Sequence, residues 1–465
     1  MPAHEKKSFA RDAFDAAVRF FGPAPAVTPV AGGERVREGV AFWQRRVLLS
    51  TIIGYAVYYF VRKNLGIAMP AMEQDLGIGK AQLGLFLTLH GVLYGVSKFA
   101  NGFLGDRCNA RVFMVCGLLA SAGFNVMFGF SSVTVALGIF WLLNGWFQGM
   151  GFPPCARLLT HWFTPEKLVT RMAVWNISHT IGGGLIVIIC GYLVVWDWRL
   201  CFFVPAALAI ICSLYLWKTL PDTPASVGLP EISHAAQPGI SAPASGGPGK
   251  PPGFGAVLRN NVFKNKYIWL LAFANFFVYT IRYAVLDWGP SLLTQAKGVP
   301  IQHAGWMIAA FELSGLAGTL LAGWVAARFF GGRCIRVCAL YMVFTLGAVL
   351  LFWRVAGDSK MLNTILLGSI GFLIYGPQSL VGTAAANLAT KHAAATAIGL
   401  TGLFGYASTV LSGWGLGALV QARGWNAGLA GLGIAAILGM IFFFIAWPAK
   451  AHGYDPDKTE GAASG

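Results

Sequence analysis

Two arginines stand inside apolar runs that would not ordinarily tolerate them. Arg62 follows Tyr55, Tyr58 and Tyr59 at the i, i+3, i+4, i+7 spacing of one helical face, within the run 47–69. Arg282 shares a face with Asn275 and Tyr279 in the run 267–290. A guanidinium keeps its charge and presents a planar fork of donors, so it grips a tetrahedral oxyanion such as phosphate with two parallel hydrogen bonds. An aliphatic or sugar hydroxyl gives it no charge to compensate. Insertion scales put an arginine at a bilayer centre at roughly 2.5 to 3.5 kcal/mol, so such residues face a cavity or a partner. Arg62 and Arg282 therefore read as an anion grip, with structural ion pairing as the alternative.

Further polar groups fall in the same depth range. Lys98 lies in the run 81–104 with His90, Tyr94 and Asn101 on roughly one face, and Lys63 follows Arg62 directly. Asp287 and Glu312 are the acids available in the second part of the chain. Lys63 is expected to pair with one of them, a contact that breaks when a ligand neutralises the arginines; snorkelling to the surface is the alternative. His179, in WNISHTIGGG (175–184), sits one turn from Trp175 and beside Asn176. An imidazole there has a proton to give a divalent phosphate, although a lone membrane histidine also serves as a packing residue. The eight cysteines are scattered without a CxxC pair, so neither a disulfide framework nor a metal is expected. No cofactor is implied, and without an HExxH or GxSxG constellation an enzyme is not expected.

The elements that must position these groups are membrane helices. The 465 residues are 56% hydrophobic and only 11% charged, with a mean hydropathy of +0.63. Runs of about 20 apolar residues recur near 47–69, 81–104, 112–130, 133–158, 172–195, 200–217, 267–290, 304–327, 337–356, 362–390, 394–421 and 425–447, which gives twelve spans. Of the 34 Lys and Arg, 24 fall on the side of the termini, six on the other side and four within spans, counting Arg157 and Arg354 at span ends with the loops. That bias puts both termini in the cytoplasm, and it accounts for the net charge of +16 without a nucleic-acid partner. The expected organisation is a cytoplasmic segment 1–46 suited to a short interfacial helix, a six-helix half 47–218, a Pro/Gly/Ser-rich cytoplasmic linker 219–265, a second half 266–447 and a cytoplasmic tail 448–465.

The halves repeat. Tyr59-x-x-Arg62 with Pro70 recurs as Tyr279-x-x-Arg282 with Pro290 at an offset of 220 residues, and GFLGDRCNAR (102–111) recurs as GWVAARFFGGR (323–333) at an offset of 221. The sequence thus predicts an all-α membrane protein of twelve transmembrane helices in two pseudo-symmetric six-helix halves. This is the architecture of the major facilitator superfamily, in which a midplane site lies between the halves. The pattern Gly102-x-x-x-Asp106-Arg107-x-x-x-Arg111 resembles that superfamily's cytoplasmic loop motif, whose network would hold one access state; the second copy has Ala327 in place of the acid.

YYFVRKN (58–64), SKF (97–99), GWFQGMGFPPCARLLTHWF (145–163), VWNISHTIGGG (174–184), IRYAVLDW (281–288), GFLIYGP (371–377) and GLTGLFGYA (399–407) resemble the organophosphate:phosphate antiporters, which include bacterial glycerol-3-phosphate and hexose-6-phosphate transporters. The resemblance covers nearly everything from Trp43 to Trp447. It implies exchange of inorganic phosphate for an organic phosphate in a bacterial inner membrane, by a monomer. It further implies that Arg62 and Arg282 bind the phosphoryl group and His179 joins them. Lys98, Tyr55, Tyr59, Trp175, Tyr279, Tyr375 and Tyr406 would surround the pocket, and Lys63, Asp287 and Glu312 would form the rearranging salt bridges. Phe152 stands where the family has a tryptophan. PPCARLLTHW resembles instead the hexose-phosphate sensor, a relative that works with a membrane kinase.

Overall fold

The computed structural model describes residues 20–30, 32–105, 107–232, 262–357, 359–389 and 394–449. The first crossing consists of α1 (Gly33–Phe60) and α2 (Leu65–Leu76), followed by α3 (Lys80–Gly105) and α4 (Ala110–Phe130). The fourth is also in two pieces, α5 (Thr134–Gln148) and α6 (Phe152–Trp162), and α7 (Pro165–Leu193) and α8 (Leu200–Thr219) complete the first half. The second half holds α9 (Lys266–Lys297), α10 (Ile301–Phe330), α11 (Cys334–Arg354), α12 (Lys360–Leu388) and α13 (Ala394–Ala407). A π turn, Val410–Gly415, then leads into α14 (Leu416–Ala446).

Among the described residues, ten helical stretches are long and apolar enough to cross a bilayer. One of them, Thr396–Ala446, has 51 residues, about 75 Å if straight and more than twice a hydrocarbon core. It turns back at Gly424, whose φ of 77° favours glycine, and so supplies two crossings. The α1–α2 crossing, charged and interrupted, adds to the ten, so the described helices accord with the expected twelve. Phe130, Leu320 and Met361 are 77%, 75% and 78% exposed on the outer wall, a surface that suits lipid and not water. Helix α1 begins at Gly33, well ahead of the apolar run at 47, and residues 1–19, 233–261 and 450–465, which hold most of the expected interfacial helix, linker and tail, lie outside the described residues.

Packing repeats as the sequence does. In the first half α1 packs on α7 and α8, α3 on α5, and α4 on α5 and α8. In the second half the equivalent contacts are α9 on α13 and α14, α10 on α12, and α11 on α12 and α14. The contacts between halves also come in related pairs: α3 lies against the π turn, α7 against α10, and α2 against α9.

These junctions lie away from the face that carries the start of α1 and the end of α8, called here the linker face. On the opposite face Gly84 and Gly413 bring two backbones together, since a Cβ on Gly84 would sit 2.5 Å from the Gly413 carbonyl oxygen. Thr88 Oγ1 donates to the Thr409 carbonyl at 2.7 Å, and Lys63 pairs with Asp287 at 2.7 Å. The innermost of the hydrogen bonds joining the halves runs from Lys98 Nζ to the Tyr406 hydroxyl at 2.9 Å. The molecule is therefore held shut on the face opposite the linker.

The break in the first crossing has a specific cause. Val61 leaves the helix, and its carbonyl accepts from Asn125 Nδ2 at 3.0 Å and Asn144 Nδ2 at 2.9 Å. Asn64 Nδ2 in turn donates to Asn125 Oδ1 and to the Cys201 carbonyl, both at 2.8 Å. In lipid a backbone interruption survives only where neighbouring side chains satisfy it. Gly149 to Gly151 and the following Pro153 divide α5 from α6.

Candidate functional site

Between the halves, at the break of the first crossing, lies a cavity of about 140 Å³. Of the residues expected there, Tyr55, Tyr59, Arg62, Lys63, Lys98, His179, Tyr279, Arg282 and Tyr406 line it. Tyr94, Phe152, Asn176, Tyr283 and Gln378 complete the wall. Tyr283 and Gln378 escaped the sequence reading. Tyr283 had a readable signal, because the 220-residue offset makes it the counterpart of Lys63.

The two arginines are held in different ways. Helix α1 ends at Phe60, so Arg62 is presented from the turn that follows, beyond the helical face inferred from spacing. Its guanidinium lies 3.8 Å from the centre of the Tyr94 ring and 5.3 Å from that of Tyr59, the distances of cation–π contacts. Arg282 sits within continuous α9, 5% exposed, with Nη2 donating to the Tyr375 hydroxyl at 3.0 Å and standing 4.0 Å from Glu312 Oε1. Tyr375 passes the interaction on by donating to Glu312 Oε2. Lys98 resembles Arg62 in lying over a ring, that of Phe152, at 4.5 Å. His179 approaches Tyr59, ring centres 5.8 Å apart, and Thr180 Oγ1 at 3.4 Å.

Several expected neighbours lie elsewhere. Trp175 is 1% exposed and packs behind the wall, 4.7 Å from Tyr55 and 5.6 Å from Phe152 between ring centres. Tyr375 also stands behind the wall, supporting Arg282. Lys63 meets Asp287 and not Glu312, so the three residues split into two separate contacts. Tyr58 turns into the first half to donate to the Met114 carbonyl at 2.7 Å. Asn275 donates to the Thr401 carbonyl at 2.8 Å, tying α9 to α13. Only Tyr94 and Lys98 of the proposed α3 face reach the cavity: His90 stacks on Trp141 with ring centres 5.0 Å apart, and Asn101 bonds Ser97. The spacing argument fails there because a helix in a bundle has neighbours on more than one side.

Charge around the cavity does not balance. Lys63 faces Asp287 and Arg282 faces Glu312, but among the described residues no carboxylate pairs with Arg62 or Lys98. Four cations against two acids leave a formal excess of two positive charges. A phosphate ester carries about −1.5 to −2 near neutrality, so one such group offsets the excess.

On the linker face the loop motif is only partly described, since Asp106 lies outside the described residues. Gly102 faces open space, Arg107 caps the turn after α3 through a backbone bond to Leu104, and the Arg111 guanidinium lies 5.0 Å from the Trp217 ring centre. A buried acid the motif does not include does conspicuous work there. Asp222 accepts from the backbone N–H groups of Ala24 at 3.0 Å and Ala110 at 2.9 Å and pairs with Arg157 at 3.4 Å, joining the N-terminal strap, α4 and α6.

Comparison with known proteins follows the same lines. The family model described as Major Facilitator Superfamily matches residues 51–413. The chain is 40% identical to the glycerol-3-phosphate transporter of Bacillus subtilis, over 92% of this chain and 98% of that one. It is 38% identical to the probable hexose phosphate transport protein of Chlamydia pneumoniae, over 93% and 97%. It is 35% identical to the membrane sensor protein UhpC of Escherichia coli, over 90% and 95%. Among solved structures, a bacterial homologue of the human lysosomal transporter Spinster, in an inward-facing and unoccupied conformation, superposes with a TM-score of 0.70 at 16% identity, over 87% of this chain and 95% of that one. Sequence and fold agree, and this chain is an integral, multi-pass membrane member of the Major Facilitator Superfamily, a transporter family and not an enzyme family.

Proposed function

We propose that the protein exchanges inorganic phosphate for a small organic phosphate, glycerol-3-phosphate or a sugar phosphate such as glucose-6-phosphate. Exchange proceeds by rocker-switch alternating access, by a monomer in a bacterial inner membrane with both termini in the cytoplasm. The observation that carries this reading is the cavity between the halves, where Arg62, Lys98 and Arg282 converge with two positive charges in excess. The names of two relatives, a glycerol-3-phosphate and a hexose phosphate transporter, support the substrate class.

The mechanism follows from that excess. With the cavity empty, the excess charge sits on Arg62 and Lys98, both in the first half, and closing the linker face would bury it without a counter-charge. Phosphate bound between Arg62 and Arg282 supplies that counter-charge and makes charge-assisted hydrogen bonds to both halves, so the loaded protein crosses the barrier and the empty one does not. Obligatory exchange results, driven by the outward gradient of inorganic phosphate. The Lys63–Asp287 contact is the outer latch that must part as the opposite face opens.

The second reading is a sensor that binds phosphates and signals through a membrane kinase. It is favoured by the PPCARLLTHW segment and by the 35% identity to a membrane sensor protein. Uptake of radiolabelled phosphate by purified protein in phosphate-loaded liposomes, competed with glycerol-3-phosphate and glucose-6-phosphate, separates the two. Exchange blocked by one of these competitors is the expected result. Folded protein that binds the phosphates without exchanging them establishes the sensor reading.

A further inference from the structure

Gln378 is a cavity-lining residue that makes no side-chain hydrogen bond among the described residues, and its Oε1 is buried without a partner among them. Its surroundings are rich in donors: Arg62, Lys98 and Arg282 have only protons to offer. The fully ionised phosphoryl group of an ester satisfies those groups but has no proton to give a carbonyl acceptor. The terminal torsion of a glutamine is soft and roughly two-fold, so a half-turn exchanges Oε1 for Nε2 at the cavity surface. A ligand hydroxyl, which both donates and accepts, matches either end.

The position of Gln378 sharpens the argument. It lies one helical turn beyond Tyr375, the residue that holds Arg282, and α12 runs from Lys360 on the opposite face toward Leu388 on the linker face. One turn is on the order of 5 Å, the separation between a phosphoryl group and a hydroxyl two or three carbons along the chain. An ester whose phosphoryl group rests on Arg282 would thus extend its organic part toward the linker face, past this amide.

We infer that Gln378 determines specificity by bonding a hydroxyl of the organic substrate, which makes the transported esters hydroxylated ones, polyol or sugar monophosphates, and not alkyl phosphates. The inference rests on the phosphate-exchange reading. It goes beyond that reading in separating recognition of the organic part from recognition of the phosphoryl group.

The test uses full-length protein in phosphate-loaded liposomes and the substitution Gln378→Met, which keeps length and removes polarity. Measured against the half-saturation of phosphate in the same variant, glycerol-3-phosphate and glucose-6-phosphate should compete about tenfold less well than they do in the parent, the value of one hydrogen bond. Ethyl phosphate, which has no hydroxyl, should compete equally in both. Unchanged competition by the hydroxylated esters, or an equal weakening of all competitors and of phosphate itself, overturns the assignment. If Gln378→Met does not fold, Gln378→Ala is read by the same criteria. Failure of the unsubstituted protein to exchange phosphate overturns the exchange reading, and this inference falls with it.

Discussion

The two halves carry the same arginine at repeat-equivalent positions, yet they anchor it by different physics. In the second half Arg282 lies over the Tyr375 ring, 4.7 Å from its centre, but is fixed in addition by oxygen, through the Tyr375 hydroxyl and Glu312, in an unbroken helix. In the first half Arg62 lies against ring faces, Lys98 lies over one while donating to the Tyr406 hydroxyl of the other half, and the backbone carrying Arg62 has left the helix. Hydrogen bonds to a carboxylate network fix both position and orientation. A ring face attracts a cation but leaves its donors free to turn. The molecule thus combines one preset fork with one adaptable fork, and the adaptable one belongs to the half whose first crossing can flex at its break.

The largest expected effects fall on the arginines and differ by half. Arg62→Lys keeps charge but loses the planar fork. Phosphate exchange should drop by at least about a hundredfold, since two hydrogen bonds to a charged group are at stake, while the unfolding temperature in detergent stays near the parent value. Arg282→Ala should lose exchange and also destabilise the protein by about 3 to 5 kcal/mol, because Glu312, 1% exposed, is left without its cation. Exchange assays paired with thermal unfolding decide the matter. Equal destabilisation by both substitutions would remove the distinction between preset and adaptable forks.

A smaller effect is expected at the break. The offset of 220 places Ala284 opposite Asn64, so the second half has no amide with which to cap an interruption. Asn64→Ala removes the bonds to Asn125 Oδ1 and the Cys201 carbonyl and should cost about 1 to 3 kcal/mol of stability. Because those bonds hold the Arg62 turn, phosphate affinity should fall with it even though residue 64 does not reach the cavity. Phosphate binding measured by isothermal titration checks this, and an unchanged affinity would show that the turn does not depend on its caps.

Much of this architecture was legible in the sequence. Apolar run length announces a membrane span because the bilayer imposes it, and a duplication with constant offset announces paired halves. Charged side chains inside spans were the clearest site signals, since lipid penalises them enough that they must converge on a cavity; Arg62, Lys98 and Arg282 do so. What could not be read was the partner of each charge. Glu312 and Asp287 were equal candidates for Lys63, and only the depth of each acid along its helix distinguishes them. Neutral polar residues were harder still. Gln378 costs little in a span, so nothing in the run 362–390 sets it apart from Gln and Ser residues that face neighbouring helices, and Trp175 carries the same helical spacing to His179 whether it faces the cavity or the wall behind it.

The smallest expected effect tests the ring faces themselves. Phe152 lies beneath Lys98 and packs on Tyr55, at 6.4 Å between ring centres, and on Trp175. Phe152→Trp installs the residue expected from the family resemblance. An indole attracts an ammonium more strongly than a phenyl ring does, by up to about 1 kcal/mol at a partly solvated site. The same attraction works against a ligand that must draw Lys98 away toward phosphate. If the ring holds Lys98 in the empty state, Phe152→Trp should weaken phosphate binding by no more than about fivefold, the free energy of that difference. If Lys98 keeps its ring contact while gripping the anion, the affinity should stay constant or rise. Tyr406 offers an internal control, because its hydroxyl accepts from Lys98, whose Nζ also lies 5.4 Å from its ring centre. Tyr406→Phe removes the oxygen partner and leaves the Phe152 ring in place. Titrating phosphate into both variants therefore measures how far the first half relies on ring faces where the second relies on oxygens.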